Sequence, residues 1–275
     1  MTPDSVRGRL HMRHWRRQTS GSLGTLLCVH GVSEHSGRYD RLASAVCAAG
    51  LDVMSVDLVG HGRSPGRRGH IRDFAIDHLG AVDHMIAAAH EAGLDAPLFV
   101  LGHSLGGLIA ARWAQVHSAD GTISGLILVT PFISPRIHVP VWKRTLASIL
   151  SRTMPAFSMP TGIRDTDLFR DPADRESYAA DPLVQRRISA GHWIALGRER
   201  RNVIEEAGHL TAPTLLLLAG EDRIVSTMAA RELGRALPDV TVIEYAKAFH
   251  ALHADPSAAR VFEDLIAWVR ERAGR

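Results

Sequence analysis

Disulfides, membrane-spanning runs and lysine are what this chain of 275 residues has least of. Two cysteines, Cys28 and Cys47, exclude a disulfide framework. Their neighbours put the first in a strand and the second in a helix, where both read as small buried hydrophobes of a reducing cytoplasm. No apolar run approaches the roughly 20 residues that a spanning helix requires, and the N-terminal M-T-P-D-S-V-R-G-R-L has no apolar segment of a secretory leader. Lysine occurs only at 143 and 247, so the net charge of +3 is carried by arginine. Short basic clusters at Arg13, Arg16, Arg17 and at Arg198, Arg200, Arg201 lack the aromatic interleaving of a nucleic-acid surface. They read as solvated faces, and no nucleic-acid partner is expected. There is no H-E-x-x-H, no Cys/His cluster with ligand spacing and no G-x-x-x-x-G-K-[ST], so neither a metal centre nor a phosphate-cradling loop is expected.

What the chain has is a large apolar fraction, 45% against 22% charged, enough for one sizeable core. Residues 7–16 alternate polar and apolar letters, as an edge strand or hairpin does. The segments 25–29, 51–58, 98–101 and 123–130 are continuous apolar runs, the pattern of parallel strands buried on both faces. Between them lie helical periods: Tyr39, Leu42, Val46 and Ala49 share one face, and Leu79, Val82, Ile86 and Ala89 another, with Asp73 able to cap the second. This alternation predicts a doubly wound, mostly parallel sheet. Between Phe132 and Ala212 the rhythm changes to apolar but irregular stretches broken by Pro140, Pro155 and Pro160. A helix at roughly 188–206 follows them. The segment reads as a helical insertion lying over the sheet, its Met and Phe side chains serving packing or a lipid groove. Strands resume at 214–218 and 240–245, with a helix capped by Ser226 between them and a closing helix that turns Val261, Leu265 and Trp268 inward. The expected organisation is therefore 1–131 core, 132–211 cap and 212–275 core, with the cap inserted after the sixth strand.

The stretch P-L-F-V-L-G-H-S-L-G-G-L-I-A-A-R-W at 97–113 carries the chemistry. It reads as strand, sharp turn, helix, with Ser104 at the apex of a G-x-S-x-G elbow. Five letters alone are weak, and the flanking strand and helix strengthen them. A serine hydroxyl needs a base to take its proton, and the base needs an acid to hold its tautomer. Asp222 follows one buried strand and His250 the next, in the chain order Ser, acid, His and at the carboxyl-end loops where such sheets place ligands. Glu221 and His253 are the competing carboxylate and imidazole. Two N–H donors must meet a developing oxyanion. The amide of Leu105 is one candidate, and that of Val32, in the loop after 25–29, is the other.

Six motifs in one order then carry a resemblance: H-G-V-S-E-H-S-G-R-Y at 30–39, D-L-V-G-H-G-R-S at 57–64, G-H-S-L-G-G at 102–107, L-F-R-D-P-A-D-R-E-S-Y-A-A-D-P-L-V at 168–184, A-G-E-D-R-I-V at 219–225 and F-H-A-L-H at 249–253. The chain resembles the monoglyceride lipase and lysophospholipase group of α/β-hydrolases over nearly its whole length. The resemblance implies Ser104 as nucleophile, Asp222 as acid and His250 as base. It also implies the amides of Val32 and Leu105 as oxyanion hole, and Glu34, Arg38 and His253 at the polar end of a glycerol-like leaving group. It implies no cofactor, a small-molecule or lipid ester as substrate, and peripheral contact between cap and lipid surface; oligomeric state is left open. The least matched part, between Ile133 and Thr166, sets chain length and head group in such enzymes. Two rival readings keep the same motifs: an acyltransferase or biosynthetic esterase using the same triad, and a non-catalytic ligand-binding relative.

Overall fold

The computed structural model describes residues 10–94, 96–136 and 140–274. Its centre is a seven-stranded sheet. The edge strand β1 (Met12–Trp15) runs antiparallel to β3 (Leu51–Val56), and β3 pairs in parallel with β2 (Gly24–Val29). From β2 the parallel ladder continues through β4 (Leu98–His103), β5 (Gly125–Val129), β8 (Thr214–Ala219) and β9 (Val240–Tyr245). Strands β2, β3, β4, β5 and β8 are buried along their whole length, which is why their sequences are unbroken apolar runs rather than alternating ones. The register sets Val29 beside Val56 on one side and Gly102 on the other, so β2 and β4 end level with each other. The loops that follow β2, β4, β8 and β9 thus leave the sheet at one edge, its carboxyl edge.

Helices cover both faces. On one lies α1 (Asp40–Ala48), and on the other α2 (Gly80–Glu91) and α3 (Leu105–Val116). The turn before α2 opens where Asp73 accepts the Ile76 N–H at 2.9 Å, as its sequence position suggested. Between β5 and β8 come α4 (Val141–Thr153), α5 (Asp165–Leu168), α6 (Pro172–Ala180) and α7 (Ala190–Glu205). A two-stranded antiparallel ribbon, β6 (Ser158–Pro160) with β7 (Arg187–Ser189), joins them. Then α8 (Thr227–Ala236) is capped by Ser226, whose hydroxyl accepts from the Ala229 N–H, and α9 (Ala258–Ala273) closes the chain. Val261, Leu265 and Trp268 of α9 are buried against the sheet.

Two details differ from expectation. Five strands, not six, precede the helical insertion among the described residues: the N-terminal segment supplies one strand, and a second arm of a hairpin would fall in residues 1–9, outside them. Within the insertion, the stretch read as irregular contains the regular helix α4. Its Trp142, Leu146 and Ile149 keep helical spacing yet stay exposed, so the period was present without a core to bury it. Cys28 and Cys47 are buried free thiols, in β2 and α1 respectively.

Candidate active site

The turn from β4 into α3 is made by Ser104 at φ +52°, ψ −113°, a left-handed conformation that side chains rarely adopt. Holding a non-glycine residue there costs on the order of 1–3 kcal/mol, which surrounding contacts must offset. They are close ones. A Cβ on Gly106 would stand 2.0 Å from the Val29 carbonyl oxygen, and one on Gly102 would stand 2.2 Å from the Gly106 carbonyl oxygen. Glycine at both places lets α3 start directly against β2 and β4.

From the loops after β8 and β9 come the acid and imidazole. His250 Nδ1 lies 2.7 Å from Asp222 Oδ2, while Asp222 Oδ1 accepts the N–H groups of Ile224 and Val225 at 2.8 and 2.9 Å. Both side chains are almost fully buried. Burial alone would raise the Asp222 carboxyl, but the facing His250 and the two amides outweigh it and hold the group below the usual carboxylate range. An ionised Asp222 accepts only, so the proton between them sits on His250 Nδ1. The His250 carbonyl is held in turn by the Thr130 hydroxyl at 3.0 Å and His103 Nε2 at 3.3 Å, which ties this loop to the elbow. Glu221 is exposed, outside this pair.

A cavity of about 490 Å³ opens over the elbow. Val32, Ser104 and Leu105 lie in its wall, with Leu146, Met159 and Ile188 of the insertion opposite. The backbone N–H groups of Val32 and Leu105 have no hydrogen-bond acceptor among the described residues. For Leu105 the cause is its place in the first turn of α3, where amides have no partner within the helix. Val32 is held from behind: its carbonyl lies 2.7 Å from His61 Nε2 and accepts from Gln185 Nε2 at 2.8 Å.

The chain as a whole resembles known proteins. Residues 21–257 match the family described as serine aminopeptidase, S33. The chain belongs to that family. It is 32% identical to monoglyceride lipase of Homo sapiens over 96% of this chain and 87% of that protein. The crystal structure of Paleococcus ferrophilus monoacylglycerol lipase matches it with a TM-score of 0.86 and 30% identity, covering 96% of this chain and 99% of that one. An uncharacterised abhydrolase domain-containing protein of Dictyostelium discoideum is 29% identical, and the chain spans 28% of its length. The chain is a monoacylglycerol lipase-like serine hydrolase with the α/β-hydrolase fold, and its chemistry at the general level is ester hydrolysis.

In this serine hydrolase, Glu34, Arg38 and His253 stand away from the apolar cavity wall. The Glu34 carboxylate is buried and accepts from Gly31 N–H (3.0 Å), the Tyr39 hydroxyl (3.1 Å) and His103 Nδ1 (2.9 Å). Both nitrogens of His103 therefore face acceptors, Glu34 and the His250 carbonyl. Burial would lower the His103 imidazole, and the Glu34 charge more than reverses this, raising it, while Glu34 is held well below its ordinary range. His253 stacks on Tyr39 at 4.9 Å, with Nε2 3.3 Å from Glu34 Oε1 in a contact that lacks hydrogen-bond geometry, and burial lowers its imidazole below the ordinary value. Arg38 donates to the Ser177 hydroxyl at 3.1 Å. Sequence reading passed over His103, Thr130, His61 and Gln185. His103 was the unnamed letter of the elbow motif and His61 lay in the D-L-V-G-H-G-R-S loop, so both had a signal; Thr130 and Gln185 had none.

Proposed function

We propose that this enzyme cleaves carboxylic esters of the monoacylglycerol or lysophospholipid type through an acyl-enzyme. The observation that carries the reading is a strained serine on the wall of an apolar cavity with two unpartnered amides on the same wall and, tied to the elbow through His103, a buried Asp222–His250 pair. In this reading Ser104 Oγ attacks the ester carbonyl as His250 Nε2 takes its proton, and Asp222 stabilises the imidazolium that results. The amides of Val32 and Leu105 receive the carbonyl oxygen as it becomes negative. His250 then returns the proton to the leaving alcohol, and water repeats the sequence in reverse to free the acid and the serine.

For the acyl chain we propose the cavity, whose volume lies in the usual range for small-molecule sites. For the polar end we propose Glu34, Arg38 and His253. Glu34 has its Oε2 committed to internal donors, so it orients the group from behind, while His253 offers ring nitrogens without a hydrogen-bond partner. We treat 132–211 as a cap, separate from the core segments 1–131 and 212–275. Val141 and Trp142 are 73% and 63% exposed on α4, which supports peripheral contact of this cap with a lipid surface. No helix among the described residues is long and apolar enough to cross a membrane.

The test is a kcat/KM panel of monoacylglycerols, lysophospholipids and short-chain esters with wild type and Ser104→Ala. The expected outcome is a preference for a long-chain monoester, abolished by the substitution together with labelling by a fluorophosphonate. A Ser104→Ala protein that kept full esterase activity would overturn the assignment.

A further inference from the structure

Beside the apolar cavity, and sharing with it the walls of Phe132, Pro135, Trp193 and Leu196, lies a second cavity of about 650 Å³. Its polar lining is unlike the first. Arg136 enters from the segment after β5, Arg144 from α4, and Arg200 and Arg201 from α7, while no carboxylate contributes to the wall. Elsewhere on the same face the arginines are neutralised: Arg112 pairs with Glu199 and Glu206, and Arg198 with Glu199. Arg136, Arg144, Arg200 and Arg201 form no ion pair with a carboxylate among the described residues. Arg200 is the most committed of them. Its guanidinium lies over the Phe132 ring at 5.3 Å, and its Nε is buried without a hydrogen-bond partner. A buried donor left unmade costs about 1–3 kcal/mol, and four like charges around one cavity add repulsion. Burial, then the charges of Arg201 and Arg144, push the Arg200 guanidinium below its ordinary value. Of the two arginines that the sequence suggested for a solvated face, Arg201 is exposed and also lines this cavity, while Arg200 is half-buried in its wall.

We propose that this cavity binds a phosphate group carried by a small organic molecule or a lipid headgroup. Planar guanidinium forks match the several acceptor oxygens of a phosphate, and one carboxylate would engage only one fork. The volume exceeds that of a bare ion and lies in the range for small organic ligands. Arg136 also donates to the Asp222 carbonyl at 2.8 Å, so the site borders the loop that carries the acid. Binding does not depend on the hydrolytic reading, and it is measured on Ser104→Ala so that no turnover intervenes.

The experiment is calorimetric titration with sn-glycerol 3-phosphate, with acetate as the carboxylate control, and co-sedimentation with phosphatidylcholine vesicles containing or lacking phosphatidic acid. Each runs on the Ser104→Ala protein alone and combined with Arg144→Ala, Arg201→Ala or, as a control for net charge, Arg235→Ala on α8. Saturable binding of glycerol phosphate that weakens about tenfold or more with either pocket substitution and not with Arg235→Ala supports a soluble phosphate ester. Binding seen only with phosphatidic acid vesicles, and lost in the same two variants, supports a headgroup. Three outcomes would overturn the site: no saturable binding of either probe, binding unchanged in both pocket variants, or acetate binding as tightly as the phosphate ester.

Discussion

At the scale of single residues, the proposed chemistry depends on which atom holds a proton and which atom is missing. Asp222 shows the first. In Asp222→Asn the Oδ1 equivalent can still accept from Ile224 and Val225, so the loop keeps its shape, but an NH₂ group now faces His250 Nδ1. The imidazole must then present a lone pair to that NH₂ and carry its proton on Nε2, where it is useless as a base. Loss of the correct tautomer lowers kcat by about 10⁴ in the best-studied triads. The expected result here is a fall of that order with an unchanged thermal midpoint; a variant within tenfold of wild type would remove Asp222 from the assignment. Gly106 shows the second. A methyl group 2.0 Å from the Val29 carbonyl oxygen meets backbone at the end of a strand held by ladders on both sides, which has nowhere to move. Gly106→Ala is expected to lose about 1–3 kcal/mol of stability in urea titrations. It is also expected to lose about a hundredfold in kcat, because the neighbouring Leu105 amide shifts from its place.

At the scale of elements, the insertion reaches the edge of the site through one face of its later half. His35 Nε2 meets Asp181 Oδ2 at 2.9 Å, Arg38 meets Ser177, and Gln185 holds the Val32 carbonyl while accepting the Arg187 N–H at 2.8 Å. Truncating Gln185 to alanine leaves the carbonyl to His61 alone and loosens the loop that offers the Val32 amide. Gln185→Ala is expected to lower kcat about tenfold with KM little changed, since an oxyanion donor acts in the transition state and not on the bound ester. An equal rise in KM would instead mark a substrate contact. This docking also explains what was legible. The central strands were readable because burial on both faces leaves only apolar letters; Ser104 and Asp222 were readable because each follows such a strand at the carboxyl edge, and His250 because it follows the next strand, the half-exposed β9. Gln185 was not, for its role comes from a contact with a loop more than 150 residues earlier. Nor was the ribbon of β6 and β7, whose three-residue strands are too short to show a period. Helix α4 had the period, but its apolar side faces a cavity and solvent in place of a core, so its spacing looked irregular beside those of α1 and α2.

At the scale of the whole molecule, sixteen histidines make pH the natural variable, and the buried ones set its sign. His30, His61, His78 and His192 are fully buried, and burial lowers all four from the ordinary value of 6.5, His61 to about 3 and His192 to about 4. His78 Nε2 and His192 Nε2 lie 3.0 Å apart, a spacing in which one ring donates and the other accepts, so a second proton has no acceptor. The unfolded chain takes up these protons near pH 6.5 and the folded one does not, so stability falls as pH drops below 6.5 and continues to fall to about pH 4. His61 and His192 each contribute about 1.4 kcal/mol per pH unit in that window. His103 has the opposite shift, raised by Glu34, so its contribution is complete below pH 6.5 and fades only as pH rises through its raised value. Glu34, held low, loses its contribution as pH falls below the ordinary carboxylate range, adding to the acid side. The expected urea-unfolding free energy is therefore greatest near neutrality and declines from pH 6.5 downward, well before ordinary carboxylates titrate. His192→Asn, which keeps a donor for the Gly69 carbonyl that His192 Nδ1 approaches at 3.2 Å, should make the slope between pH 6.5 and pH 4 shallower by one proton's worth. A wild-type stability that stayed flat from pH 7.5 to pH 5 would show instead that these buried rings accept protons in the folded state as readily as in the unfolded one.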